Sequence, residues 1–175
     1  LEYIESLRQY KSVSNLKNME RLCEYLGNPQ NKLKCVYIDG TVGKGSTLAF
    51  ISAVLKSAGY CVGSFASQAV FDFCERIQVS GRPITQKMVA EGIELIKAGC
   101  NKLVADGFSH PTVFEVETAL AFWYLCEKKC DVVILEAEKG NNMDTTNVIP
   151  APLVSIITPI SMDQISMDHK KSQGK

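Results

Sequence analysis

The sequence predicts an α/β fold in which a mostly parallel sheet is flanked by helices. Apolar, β-branched runs of strand length, such as LKCVYID and DVVILEA, alternate with segments whose apolar residues have helical spacing. This alternation is typical of a parallel sheet that is covered on both faces. Polar loops follow the strands after Asp39, Phe65 and Ala137. Because carboxyl ends of parallel strands lie at one edge, we expect these loops to meet there and form a binding crevice.

The elements can be assigned in order along the chain. Helical spacing up to Leu26 ends at Gly27-Asn28-Pro29, and the strand LKCVYID then runs into GTVGKGST and the helix LAFISAVLKSAG. YCVGSF is the next strand, and a turn at Ser80-Gly81 follows within ERIQVSGRPIT. Thr85 is the predicted N-cap of the helix KMVAEGIELIKAGCNKLVA. The remaining elements are the apolar helix VFEVETALAFWYLCEKK, where we expect Trp123 in the core, and the strands DVVILEA and APLVSIITPI.

Composition restricts the classes of partner. The 175 residues carry 19 Lys plus Arg and 19 Asp plus Glu, so the formal net charge is zero. This balance argues against a broad electrostatic grip on nucleic acid or on an anionic membrane. The sequence has no apolar run of membrane-spanning length, and its first residues lack the apolar core of a signal peptide. We therefore expect a cytoplasmic protein.

The seven cysteines are scattered, and their odd number fits free thiols in a reducing compartment. Cys126 and Cys130 are four residues apart and would share a helix face, which makes a metal pair conceivable. Neither His110 nor His169 lies within the spacing of a short metal-binding motif. We interpret the cysteines as packing residues, since a free cysteine behaves as a small apolar side chain.

Residues 40–47, GTVGKGST, are the strongest local signal, and we call them the phosphate loop. Glycines let backbone N–H groups approach phosphate oxygens, and the start of the following helix adds partial positive charge. The loop departs from the strict G-x-x-x-x-G-K-[ST] pattern, because position 38 is isoleucine and a glycine follows the lysine. A purely structural glycine turn is the alternative. The predicted nucleotide-binding residues are Gly40, Thr41, Gly43, Lys44, Gly45, Ser46 and Thr47.

The short form G-T-x-G-K-G-S resembles the loop of the folylpolyglutamate synthase/dihydrofolate synthase family, a branch of the Mur ligase superfamily. Further segments resemble that family in the same order along nearly the whole chain. They are Tyr25-Leu26-Gly27-Asn28-Pro29-Gln30, Ser67 with Phe71-Asp72-Phe73-Cys74-Glu75-Arg76-Ile77, Gly81-Arg82-Pro83-Ile84, Thr112-Val113-Phe114-Glu115, Thr118-Ala119-Leu120-Ala121-Phe122, Leu135-Glu136, Asp144, Thr146-Asn147-Val148-Ile149 and Ser161-Met162-Asp163.

The resemblance implies a P-loop NTPase-like ATPase domain and an ATP-dependent ligase. ATP would phosphorylate a carboxylate of folate or dihydropteroate, and the amino group of L-glutamate would attack the acyl phosphate. The implied cofactors are ATP and Mg²⁺, and the implied state is a monomer. Residues 1–175 would be the N-terminal part of the ATP-binding domain, with the C-terminal glutamate-ligase domain absent.

The resemblance also assigns roles to single residues. Lys44 and Glu115 would be catalytic, and Ser67 and Glu115 would bind magnesium together with Gln164, which replaces a histidine of the family. Asp144 and Asn147 would form the substrate loop. Each assignment has a simpler alternative. Glu115 could be a first-turn charge of its helix, and Asp144 and Asn147 could be turn residues that bond their own backbone.

Two more polar residues near the expected site have simple interpretations. Arg76 is expected to be a structural ion-pair partner. Glu136 ends a strand and faces the crevice, where it is either structural or supports the site indirectly.

Several positions depart from the family pattern. The loop asparagine is Val42, and the small residue before the first glycine is Asp39, whose carboxylate would repel triphosphate unless it points away. The Pro-His after Ser67 is Gln68-Ala69, and Glu138-Lys139-Gly140-Asn141-Asn142 replaces the glycine-rich G-x-G-G-R. The alternative to a ligase is therefore a catalytically inactive or truncated nucleotide-binding relative. A cell-wall peptide ligase is a third possibility, but the ERI and G-x-P-I segments favour folate.

Overall fold

A computed structural model describes residues 2–9, 15–69, 71–138 and 145–161. In these ranges it contains five α-helices and six strands. The helices are α1 (Glu2–Ser6), α2 (Leu16–Tyr25), α3 (Lys44–Ser57), α4 (Gln86–Ala105) and α5 (Val113–Glu127). The strands are β1 (Cys35–Asp39), β2 (Val62–Phe65), β3 (Ile77–Val79), β4 (Arg82–Pro83), β5 (Val132–Glu136) and β6 (Val154–Ile157). Short 3₁₀ turns cover Leu7–Gln9, Pro29–Lys32, Phe73–Arg76 and Thr145–Val148.

The sheet confirms the predicted, mostly parallel architecture. Its strand order is β4-β3-β2-β5-β1-β6, and the four strands from β2 to β6 in this order are parallel. The other two strands form an antiparallel hairpin at the edge. Ser80 and Gly81 have φ values of 50° and 79°, as the predicted turn between these strands requires. The phosphate loop follows a central strand, where it lies between the ends of its two neighbours.

Each face of the sheet has its own core because side chains alternate along a strand. On one face, Phe65, Val133 and Leu135 pack with buried residues of α2, α4 and α5. On the other face, Ile38 and Ile134 pack against α3. Helix α5 is the most deeply buried element, which explains its nearly unbroken apolar sequence.

The contact between α4 and α5 depends on a glycine. A Cβ on Gly92 would lie 2.4 Å from Leu120 Cδ1 and 2.6 Å from the ring of Trp123. Trp123 is partly buried against the main core, where the sequence placed it. The close approach of the two helices therefore requires the absence of a side chain at position 92.

The face of the sheet that packs against α3 is covered less completely than the opposite face. None of the residues of α3 is buried, and Phe50 and Val54 are 74% and 68% exposed. At the β6 edge, Val154 and Ile157 are 51% and 74% exposed. Apolar surface of α3 and of the sheet edge is therefore uncovered in this part of the molecule.

The helices and the cysteines of the described part of the chain agree with the expectations from the sequence. None of the helices there is long and apolar enough to cross a membrane. Four of the seven free cysteines, Cys23, Cys35, Cys74 and Cys100, are buried in the main core, as the packing interpretation expects.

Candidate functional site

The phosphate loop joins the carboxyl end of β1 to the first turn of α3. Gly40 and Gly43 have φ values of 129° and 89°, which residues other than glycine rarely adopt. A Cβ on Gly40 would also lie 2.1 Å from Thr158 Oγ1. Glycine at position 40 is thus required both by the backbone conformation and by the neighbouring strand end.

Residues 158–161, at the end of β6, hold the loop in place. Thr158 N donates to Asp39 O at 2.8 Å, and Thr41 N and Val42 N donate to Pro159 O at 3.1 and 3.3 Å. Ser161 N donates to Thr41 Oγ1 at 3.2 Å. The sequence predicted this segment only as a strand and gave no sign of its role as a support for the loop.

The first turn of α3 is the part of the loop that is suited to bind an anion. Its N-cap, Gly43, has no side chain that accepts a hydrogen bond from the first-turn amides. Gly43, Gly45 and Ser46 are exposed. A helix start of this kind attracts anions through its amides and its dipole.

Lys44 and Thr47 fold back onto the loop. Lys44 Nζ donates to Gly40 O at 2.8 Å, so the ammonium group lies across the loop. Thr47 Oγ1 donates to Gly43 O at 2.8 Å. The sequence-predicted nucleotide residues therefore lie together in one short loop that carries a positive charge.

Asp39, the last residue of β1, places a negative charge directly before the phosphate loop. Its Oδ1 accepts a hydrogen bond from Gly40 N at 2.6 Å. The carboxylate stabilises the local turn, but it occupies an amide that would otherwise be available to a phosphate oxygen. The residue is only partly buried, so its charge is felt within the loop.

Ser67 lies beside Glu136 at the same edge of the sheet. Ser67 Oγ donates to Glu136 Oε1 at 2.9 Å, and Ser67 N lies 3.4 Å from Oε2. Glu136 is 8% exposed and is paired in register with Ile38, directly before the phosphate loop. A buried carboxylate thus lies between the loop and Ser67. Sequence reasoning left its role open, although its place at the end of a central strand was the available signal.

Glu115 occupies a capping position. Glu115 Oε2 accepts from Thr112 N at 2.6 Å, and Thr112 Oγ1 accepts from Glu115 N at 3.2 Å, which is a complete capping box. Glu115 Oε1 accepts from Asn15 N at 2.9 Å, and the residue is 0% exposed. Because both oxygens bind backbone amides, this geometry argues against the catalytic and magnesium roles assigned to Glu115. It supports the alternative of a first-turn charge.

The predicted substrate loop is described only in part. Asn147 is exposed on the turn Thr145–Val148, and its neighbours are anchored by Thr145 Oγ1, 3.2 Å from Thr118 Oγ1, and by Thr146 Oγ1, 3.3 Å from Tyr37 Oη. Asp144 and Gln164 lie outside the described residues. Their assignments to the substrate loop and to the metal site remain predictions.

Arg76 forms the structural ion pair expected from the sequence. Its Nη1 lies 2.5 Å from Glu117 Oε2, and both side chains are buried. Arg76 Nε also donates to Ala66 O at 3.0 Å. The pair fastens the segment that carries Ser67 to α5.

The donor set beside the loop fits a hard cation. A serine hydroxyl and a buried carboxylate are oxygen donors, and Mg²⁺ is commonly bound by one or two protein oxygens together with waters and substrate phosphates. Among the described residues, no cluster of three or more His, Cys, Asp or Glu side chains is placed to hold a metal ion. The Ser67 hydroxyl and the Glu136 carboxylate together fit the pattern of a few protein oxygens.

Known proteins resemble the chain in both sequence and fold. It is 40% identical over 153 residues to the dihydrofolate synthase/folylpolyglutamate synthase of Bacillus subtilis, covering 87% of this chain and 35% of that protein. The folylpolyglutamate synthase of Thermotoga maritima superposes with a TM-score of 0.85 and 36% identity, covering 95% of this chain and 39% of that one. The folylpolyglutamate synthase of Mycobacterium tuberculosis, solved with ADP and AMPPCP, superposes with a TM-score of 0.84 and 30% identity, covering 91% of this chain and 36% of that one. No family model matches the chain.

The fold and the loop define a P-loop NTPase-like ATPase domain of the Mur ligase type. Within that class, the chain belongs to the folylpolyglutamate synthase/dihydrofolate synthase family and corresponds to its N-terminal portion. It spans 35–39% of the length of the Bacillus, Thermotoga and Mycobacterium relatives.

Proposed function

We propose that this chain supplies the ATP-binding part of a ligase that joins L-glutamate to folate or dihydropteroate. The observation that carries the proposal is the position of the phosphate loop directly beside the Ser67–Glu136 pair. One element suits a triphosphate, and the other suits the cation that accompanies it. The relatives bear the names of folate ligases, and one of them was solved with adenine nucleotides.

Each part of the site has a distinct task in this proposal. The first-turn amides of α3 and Lys44 Nζ hold the β- and γ-phosphates and offset their charge. For this, Lys44 exchanges its hydrogen bond to Gly40 O for one to a phosphate oxygen. When bound, Mg²⁺ supplies further charge neutralisation on the phosphates.

Ser67 and Glu136 would hold that cation, with Glu136 in place of the Glu115 that was predicted from the sequence. Glu136 already accepts from the Ser67 hydroxyl, and it is buried in register with the strand before the loop. Gln164 is retained as a proposed additional ligand. Glu115 is left out of this set because its oxygens bind the amides of Asn15 and Thr112.

The chemistry proposed for the complete site is activation of a carboxylate. A carboxylate is a poor electrophile until one of its oxygens becomes a good leaving group, and phosphorylation by ATP achieves this. The glutamate amine then attacks, and phosphate leaves. We propose that residues 1–175 are part of the ATP-binding domain and that a C-terminal domain contributes the glutamate site. Monomeric state and cytoplasmic location also remain predictions.

The test of the metal proposal is magnesium-dependent ATP binding, measured by titration calorimetry. Glu136→Gln and Ser67→Ala should each weaken ATP binding in the presence of magnesium and leave the binding measured in EDTA unchanged. Ser57→Ala is the matched control, since this serine is exposed at the far end of α3. If both site variants bind MgATP as the unchanged protein does, the proposed cation site is wrong.

A further inference from the structure

Three partly buried cysteines, Cys61, Cys126 and Cys130, lie at the amino-terminal edge of the parallel strands. Cys61 directly precedes β2, Cys130 lies just before β5, and Cys126 is in the last turn of α5. The phosphate loop follows the carboxyl end of β1, which is parallel to both strands. The cysteines are therefore at the opposite edge of the sheet from the proposed nucleotide site.

Backbone pairing brings Cys61 and Cys130 close together. Asp131 N donates to Cys61 O at 2.8 Å, and Cys61 N donates to Asp131 Oδ2 at 2.7 Å. Cys61 is thus opposite Asp131, and Cys130 is one residue earlier. Neighbouring strands are about 4.8 Å apart, and one residue along a strand adds about 3.3 Å. The Cα atoms of Cys61 and Cys130 are therefore about 6 Å apart. This separation lies in the usual disulfide range of roughly 4.4–6.8 Å.

The two thiols are close enough to influence each other, since the neighbouring Cys61 is one cause of the raised pKa of Cys130. Cys130 Sγ packs over the second residue of β2, 3.0 Å from the position that a Cβ on Gly63 would occupy. Burial, and next the neighbouring Cys61, raise the pKa of the Cys130 thiol to about 12. Cys130 therefore stays protonated near neutral pH, and we expect Cys61 to react first with an oxidant.

A cavity gives small molecules access to this cluster. It has a volume of about 400 Å³ and is lined by Cys126, Cys130, Leu33, Leu125 and two lysines, Lys32 and Lys129. A peroxide is small enough to enter such a space.

We propose that Cys61 and Cys130 are a redox-sensitive pair that forms a reversible disulfide on exposure to hydrogen peroxide. The Cys61 thiolate attacks one peroxide oxygen, so that an S–O bond forms, the O–O bond breaks and the released hydroxide takes up a proton to give water. Cys130 sulfur then attacks the Cys61 sulfenic acid, an S–S bond forms, and the oxygen leaves as a second water. Two thiols are oxidised by two electrons, and one peroxide is reduced to two waters.

Cys126 is the competing partner at this edge. It lines the same cavity as Cys130, but it lies on α5, whereas Cys61 is opposite Asp131, the residue that follows Cys130. The geometry therefore points to a link between the strands β2 and β5, and Cys126 is left as a free thiol.

Peptide mapping of the purified protein tests the proposal. The protein is treated with hydrogen peroxide, its remaining thiols are alkylated, and it is digested with trypsin without reduction. A link is expected between residues 57–76 and 130–139. Because residues 57–76 contain both Cys61 and Cys74, Cys61→Ser is needed to assign the bond. Cys130→Ser should also abolish the linked peptide, Cys126→Ser should retain it, and dithiothreitol should remove it.

Several results would overturn the proposal. They are a link that persists in Cys61→Ser, a link of Cys130 to Cys126, a bond only between two protein molecules, or irreversible oxidation without any link. Cys61→Ala serves as a second variant if the serine form does not fold, and the expected loss of the linked peptide is the same.

Discussion

At the scale of single residues, the most informative feature is the Asp39 carboxylate, which lies directly before the phosphate loop. Asp39 accepts from Gly40 N and adds negative charge where a triphosphate would bind. Asp39→Ala should therefore strengthen MgATP binding, by roughly 3- to 10-fold for the removal of one like charge at the loop. Calorimetric titration measures this, with Asp131→Ala, at the other edge of the sheet, as the charge-matched control. Weaker binding in Asp39→Ala would show that its bond to Gly40 matters more than its charge.

Glu115 offers a second test at this scale, because two roles predict different losses. As a capping residue, Glu115→Gln should lower the free energy of unfolding by about 1–2 kcal/mol, since its carboxylate binds the amides of Asn15 and Thr112. Thr112→Ala removes the other half of the capping box and should cost a similar amount. Denaturant unfolding measures both variants. MgATP affinity should be unchanged in each; a selective loss of affinity in Glu115→Gln would restore the metal role.

At the scale of secondary-structure elements, the packing of α4 on α5 can be tested with Gly92→Ala. Helix propensity and steric overlap change the free energy of unfolding of this variant in opposite directions. Helix propensity alone predicts that Gly92→Ala stabilises the protein by about 1 kcal/mol. The added Cβ would meet Leu120 at 2.4 Å, however, so we expect a net loss of roughly 1–3 kcal/mol. Thermal or denaturant unfolding decides the sign.

Gly99 on the same helix is the matched control. Its Cβ would meet the nearest atom, Leu22 Cδ1, at 3.1 Å, so a small shift of that side chain accommodates it. Gly99→Ala should therefore cost less than Gly92→Ala. Equal effects at the two positions would mean that α4 and α5 are not packed as closely as described.

The elements themselves were largely predictable from the sequence, because strand and helix periodicities are local signals. The predicted N-cap Thr85 and the predicted turn at Ser80-Gly81 carry their own hydrogen-bonding or backbone requirement. The contacts that shape the site were less predictable. The support of the phosphate loop by Pro159, and the pairing of Ser67 with Glu136, join residues far apart in sequence. The two roles considered for Glu115 could not be separated from the sequence, because a capping carboxylate and a ligand carboxylate look the same there.

At the scale of the whole molecule, the exposed apolar side chains on α3 and at the β6 edge are the main departure from an ordinary surface. Phe50 and Ile157 are each 74% exposed. The 175-residue chain should bind a hydrophobic fluorescent dye, and the double variant Phe50→Ser/Ile157→Ser should reduce that binding without lowering thermal stability. Val104→Ser is the control, since Val104 is 45% exposed and lies on α4, which packs on the other face of the sheet from α3. Equal dye binding by all three proteins would contradict this account of the surface.

The central claim is that the loop between β1 and α3 binds the phosphates of ATP. The most direct measurement is MgATP titration of Lys44→Ala beside Lys56→Ala, which removes an exposed lysine near the other end of the same helix. We expect Lys44→Ala to weaken binding roughly 10- to 100-fold, the usual cost of a lost charged hydrogen bond, and Lys56→Ala to bind as the unchanged protein does. Equal affinity of Lys44→Ala and the unchanged protein would show that the phosphates do not bind at this loop.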